Sequence, residues 1–136
     1  MKALSENALR FARVLIAVLF VLNAIGIIDQ TIPAKEMMER GVPAALVPWC
    51  MFTGRPLELV AGFALVLGVF PRLAALALLS FLIPATLISH SFWLSAGTPA
   101  FMGQLINFSK NVAICGGLLF IGATSNQPVF SRLRKL

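Results

Sequence analysis

The stretch LELVAGFALVLGVFPRLAALALLSFLIPATLIS, residues 57–89, decides the fold. It carries only two charges, Glu58 and Arg72, and Leu57 to Phe70 and Leu73 to Ile88 show no alternation of polar with apolar residues. A transmembrane barrel needs segments of about ten residues that alternate. Continuous apolarity on this scale reads instead as membrane helix, since a helix of about 20 apolar residues crosses a hydrocarbon core of about 30 Å. Pro71-Arg72 reads as a tight turn between two such helices.

Two further segments extend the pattern. Span one runs from about residue 8 to 28, span two from 50 to 70, span three from 73 to 92 and span four from 105 to 123. These spans and their connections use up the chain, which is read as one integral membrane domain over residues 1–136. The expected fold class is all-α, a four-transmembrane-helix bundle with a short extra helix in the long first connection. Composition agrees: the 136 residues are 59% hydrophobic and 12% charged, against about 25% charged in a soluble domain, and the mean hydropathy is +0.91.

Lys2, Arg10 and Arg13 before an apolar middle also suit a signal peptide, but no A-x-A-like site follows, so the segment reads as a first span. In the long connection, Pro33 precedes Ala-Lys-Glu-Met-Met-Glu-Arg and then Gly41, with proline in the first turn and glycine at the stop of a short helix. Arg55-Pro56 interrupts span two and predicts a kinked or interfacial start, and Pro84 lies inside span three. Ala64/Gly68 and Ala113/Gly117 are small pairs four apart that would let helices approach closely, and Gly116-Gly117 reads as a packing contact.

The net charge is +6 and the pI about 10.4, but the basic residues form no patch interleaved with aromatics, which excludes a nucleic-acid partner. They flank the spans instead. The N-terminus, the 70–73 turn and the tail hold Lys2, Arg10, Arg13, Arg72, Arg132, Arg134 and Lys135, whereas the other side holds Lys35, Arg40 and, if counted there, Arg55. Cytoplasmic loops carry the excess of Lys and Arg, so both termini are expected in the cytoplasm. Trp49 and Trp93 would then both mark the outer interface.

Ionisable groups inside a membrane are costly and point to function. Counting from the cytoplasmic boundary at 1.5 Å per residue, Asn23 stands about 15 Å up, Glu58 about 18 Å, Lys110 about 20 Å and His90 about 25 Å. Glu58 and Lys110 thus share a depth in the outer half, where Asn23, Asn111, Arg55 and His90 could join them. The desolvation penalty on a lone charge favours pairing Glu58 with Lys110 or Arg55. Three readings follow: a buried ion pair that fixes helix register, an outward-facing polar pocket for a head group, quinone or solute, and a proton relay through Glu58 and His90.

Other chemistry lacks support. Cys50 and Cys115 stand in neither a C-x-x-C nor a zinc-like spacing, and with one histidine and scattered acids no metal site is expected. Ser80, Ser89, Ser91 and Ser95 stand in no G-x-S-x-G elbow.

The Gly41-Val42-Pro43 turn, the run Glu58-Leu-Val-Ala-Gly62 leading to Leu67-Gly68-Val-Phe-Pro-Arg72-Leu-Ala, then His90-Ser-Phe-Trp93, Asn107-Phe-Ser-Lys110-Asn111-Val-Ala and Gly116-Gly117-Leu-Leu follow in order along most of the chain. In these residues the chain resembles the DoxX family of small four-helix membrane proteins. It departs from the family's habit after span one, where Asn23-Ala-Ile-Gly26 leads to Asp29 and no lysine comes before Lys35, and in its tail from Ala123 to Pro128. The resemblance implies an accessory subunit of a quinone- or thiol-linked redox system in the inner membrane, without its own redox centre, rather than an enzyme. Its expected partners are the lipid bilayer and a redox complex or a second copy of the chain, and its candidate cofactor is a quinone. A small solute or proton transporter and a membrane-protein assembly factor are the alternatives.

Overall fold

The computed structural model describes residues 2–28 and 31–125, so Asp29 and the basic tail residues Arg132, Arg134 and Lys135 lie outside the described residues. The described residues are helical throughout their regular structure. α1 spans Lys2–Ala24, α2 Thr31–Glu39, α3 Val47–Leu67, α4 Pro71–Ser89 and α5 Phe101–Thr124, with a 3-10 turn at Phe92–Ser95 between α4 and α5. All but α2 are long and apolar enough to cross a membrane.

The long helices form an up-down-up-down bundle. α1 packs on α3, α3 on α4 and α4 on α5, and α5 returns to α1, while α2 lies against α3 and α4. Arg10 and Arg13 of α1, Leu67-Gly68 of α3, Pro71 of α4 and Thr124 of α5 line one cleft of about 550 Å³, which gathers the same-side ends of all four long helices. Trp49 and Trp93 are exposed at the opposite end, where α3 starts and α4 stops.

The centre mixes alanines with larger apolar side chains. Ala17, Phe20, Ala61, Leu65, Ala74, Ala75, Leu78, Leu82, Leu118 and Ile121 form the core. Large apolar side chains also point outward, among them Phe11, Phe52, Val60, Leu67 and Phe120, all more than 60% exposed. An apolar exterior of that extent is unfit for water and suits lipid, where small residues at helix contacts permit close van der Waals packing. At Gly117 an added Cβ would stand 2.6 Å from Ile16 Cδ1, whereas one at the neighbouring Gly116 would meet nothing within 4 Å. The contact expected of the Gly116-Gly117 pair therefore belongs to Gly117.

Two breaks differ from the sequence expectation. Pro56 does not end span two; α3 runs as one helix from Val47, with Pro48 in its first turn, and Arg55 sits well inside it. Its end comes early because Gly68 takes the left-handed conformation (φ 67°). Gly68 N–H then bonds to Leu65 O at 3.2 Å and Val69 N–H to Ala64 O at 2.9 Å, which closes the last turn as a Schellman motif. Pro71 is thus the first residue of α4 and not part of the turn, a position where its missing N–H has no helical partner to lose. Gly41 (φ 86°) closes α2 in the same manner, with Val42 N–H on Met37 O at 2.9 Å.

The α4–α5 connection is held by aromatic rings. Phe92 meets Trp93, Phe101 and Phe108 edge to face at centroid distances of 5.2, 6.0 and 5.2 Å. Edge-to-face packing is the favoured geometry for such rings, and it lets α5 start at Phe101, earlier than the uncharged run before residue 105 suggests.

Candidate intramembrane polar cavity

Glu58 faces inward from the middle of α3. Nine residues separate it from the end of that helix at Leu67, about 14 Å. It is buried, at 3% exposure. Asn23, in the last turn of α1, donates from Nδ2 to Glu58 Oε2 across 2.6 Å. One turn before Glu58 on the same helix, the Arg55 guanidinium attracts the carboxylate without closing a salt bridge.

Arg55 has a second task. Its Nη2 donates to the carbonyl of Ala24 at 3.1 Å, one of the terminal carbonyls of α1 that have no helical partner. A cation there also opposes the negative end of the helix dipole. The chain turns away through Gly26 (φ 82°), where an added Cβ would lie 3.3 Å from Arg55 Nη2. The Arg55 Nε–H is buried and has no hydrogen-bond partner among the described residues.

On the far wall, Asn111 of α5 donates from Nδ2 to the Thr86 hydroxyl of α4 at 3.0 Å. His90, at the end of α4, meets Gln104 of α5 through Nδ1 and Oε1 at 3.0 Å. Gln104 was not among the residues singled out from the sequence, nor was Thr86. A signal for both existed: Thr86 precedes His90 by four residues, one face of a helix, and Gln104 follows the short connection to α5.

Asn23, Arg55, Glu58, His90 and Asn111 all line one cavity of about 470 Å³. Its remaining walls are largely apolar, with Phe20, Leu57, Phe81 and Leu82 among them, and α2 contributes Met37 and Glu36. Gly54 sits on this wall because a Cβ there would come within 2.8 Å of the Phe81 ring. The cleft at the other end of the bundle is somewhat larger, but Arg10, Arg13 and Glu6 at its rim leave it as a polar terminus of the bundle.

Lys110 does not join this group. It is exposed on α5 and makes no hydrogen bond or ion pair among the described residues. Successive helical residues are rotated by about 100°, so turning Asn111 toward α4 turns Lys110 outward. The expected pairing of Glu58 with Lys110 is replaced by Asn23 and Arg55. The one ion pair among the described residues is Lys35–Glu39 at 3.7 Å on the surface of α2.

A cavity of this size lies in the range of small-molecule sites, which are mostly apolar with a few placed polar groups. Among the described residues no group of three or more His, Cys, Asp or Glu side chains could hold a metal ion.

Comparison with known proteins agrees with this architecture. The DoxX family profile matches residues 8–91. Inner membrane protein YqjF of Escherichia coli K12 is 30% identical over 125 residues, covering 91% of this chain and 88% of that protein. Inner membrane protein YphA of the same organism is 30% identical over 115 residues, covering 85% and 79%. No solved structure matches.

Proposed function

Because this chain belongs to the DoxX family, we propose that it is a multi-pass inner-membrane protein that holds a lipophilic, quinone-type ligand in the Glu58 cavity, as an accessory subunit of a redox-linked membrane system. The observation that carries this reading is convergence. Five polar side chains spread from residue 23 to residue 111 line one cavity of about 470 Å³, and the walls around them are apolar. A ring head with hydrogen-bonding oxygens and a hydrocarbon tail matches such a site: the tail lies along the apolar wall or in lipid, and the head meets the polar cluster.

The chain supplies binding and orientation in this reading, and electrons pass to and from a partner protein. The inner-membrane location follows the two E. coli relatives, which carry that description. Both termini lie in the cytoplasm, because Arg10, Arg13 and Arg72 gather at one end of the bundle and Lys35 and Arg40 at the other. The cavity, at the end where α1 and α4 stop and α3 begins, then opens in the outer half of the membrane.

The test is affinity purification in mild detergent, followed by mass spectrometry of co-purifying lipids and proteins. Retained quinone that is lost on Glu58→Gln, with the variant still folded in the membrane, supports the reading. A protein carrying only ordinary phospholipid and no partner overturns it and shifts the weight to solute transport, which flux into proteoliposomes measures directly.

A further inference from the structure

The cleft at the opposite end of the bundle from Glu58, about 550 Å³ in volume, lies where the spans end. Leu67-Gly68 closes α3 in its wall, Pro71 opens α4, and Thr124-Ser125 ends α5. This is the depth of a lipid head group. α1 runs on past that level and carries Arg13, Arg10 and Glu6 outward along the cleft.

Arg13 lies against the end of α3: a Cβ on Gly68 would stand 3.3 Å from its Nη1. The terminal carbonyls of α3 favour a cation there, yet Arg13 forms no hydrogen bond or ion pair among the described residues. Its Nε–H is buried, which leaves the N–H groups of Nη1 and Nη2 to meet a ligand. Arg10, three residues earlier and so on the same face of α1, is exposed and equally unbonded. The hydroxyls beside them are engaged, Thr124 Oγ1 donating to Phe120 O at 2.7 Å and Ser125 Oγ to Ile121 O at 2.6 Å. Glu6 lines the outer rim and forms no ion pair with Arg10. Two guanidiniums against one carboxylate leave the cleft positive. Its lower edge is apolar: from Leu67, Phe63 and Val60 continue an exposed stripe down α3 at helical spacing.

We propose that this cleft binds the phosphate of an anionic membrane phospholipid, with Arg10 and Arg13 on the phosphate oxygens and an acyl chain along Leu67, Phe63 and Val60. A guanidinium offers parallel N–H groups that match two phosphate oxygens, and a basic pocket between spans is a setting in which anionic head groups are held. The site is separate from the Glu58 cavity and does not depend on the ligand proposed there.

The probe is phosphatidylglycerol, titrated into the delipidated full chain in mild detergent and followed by native mass spectrometry, with phosphatidylethanolamine of the same chains alongside. Phosphatidylglycerol should bind more tightly. Arg13→Gln and Arg10→Gln should each weaken its first binding step by about tenfold. Arg72→Gln removes a charge from the same end of the bundle but outside the cleft, and should change binding far less. Thermal midpoints confirm that the variants fold, and the exposed Arg10 decides the matter where Arg13→Gln does not. An equal loss in Arg72→Gln, or no loss in the folded arginine variants of the cleft, overturns the proposal, as does a chain that binds no phosphatidylglycerol. Phosphatidylethanolamine bound as tightly overturns the preference for an anionic head. Glycerol phosphate that displaces the lipid at matching concentration overturns the lipid source and assigns the cleft to a soluble phosphate ester.

Discussion

Asn23 and Glu58, 35 positions apart in sequence, meet across 2.6 Å where the last turn of α1 crosses the middle of α3. A neutral amide, not a cation, is the direct partner of the buried carboxylate. Such a bond ties two spans together at a point where neither could leave its polar group facing lipid.

Removing the amide should therefore be felt by the whole bundle. Asn23→Leu takes a partner from the buried carboxyl group, and leaving such a group unsatisfied costs about 1–3 kcal/mol. A lowered thermal midpoint in detergent is expected. Asn23→Gln, which keeps an amide, should recover part of the loss. A midpoint unchanged in Asn23→Leu would show that Glu58 has another adequate donor.

Neighbouring glycines on α5 should respond in opposite ways. Gly117→Leu drives a side chain into Ile16 of α1, and overpacking of this kind costs about 1–3 kcal/mol. Gly116→Leu faces open space, and with the helix-propensity deficit of glycine removed, about 0.5–1 kcal/mol, its midpoint should hold or rise. Thermal melting of the two single variants side by side checks the contrast.

Lys110→Met should leave ligand retention unchanged, since Lys110 lies outside the cavity. Mass spectrometry of the purified variant measures this. Loss of retained quinone in Lys110→Met would place the lysine in the site after all.

Cys50 provides a test of orientation. It is an exposed free thiol near the start of α3, on the end assigned to the outside. With Cys115→Ala as background, a membrane-impermeant maleimide added to intact cells should label Cys50. Labelling only after the inner membrane is broken would invert the assignment of both termini.

The architecture was legible in sequence because lipid imposes a simple rule. Long apolar runs must be helices with satisfied backbones, and residues 57–89 state that rule twice. Boundaries were less legible, since they rest on local backbone geometry: Gly68 ends α3 by adopting a left-handed turn, which moves Pro71 from turn to helix. The site was legible in membership more than in pairing. Depth along a span follows from counting residues and brought Asn23, Glu58, Arg55, His90 and Asn111 to one half of the bundle. The angle around each helix does not follow from counting, and that angle separates Lys110 from Asn111. Gln104 and Thr86 carry no charge and no unusual position along the spans, so only their contacts with His90 and Asn111 bring them forward.

The double engagement of Arg55 binds recognition to construction. The same guanidinium fastens the Ala24 carbonyl and supplies the positive charge beside Glu58. A variant that retunes the cavity by altering this residue also loosens the end of the first span, and one that reshapes the turn at Gly26 also moves the charge. The other wall differs in part, since Asn111 meets Thr86 inside α4 and can change without unfastening a helix terminus.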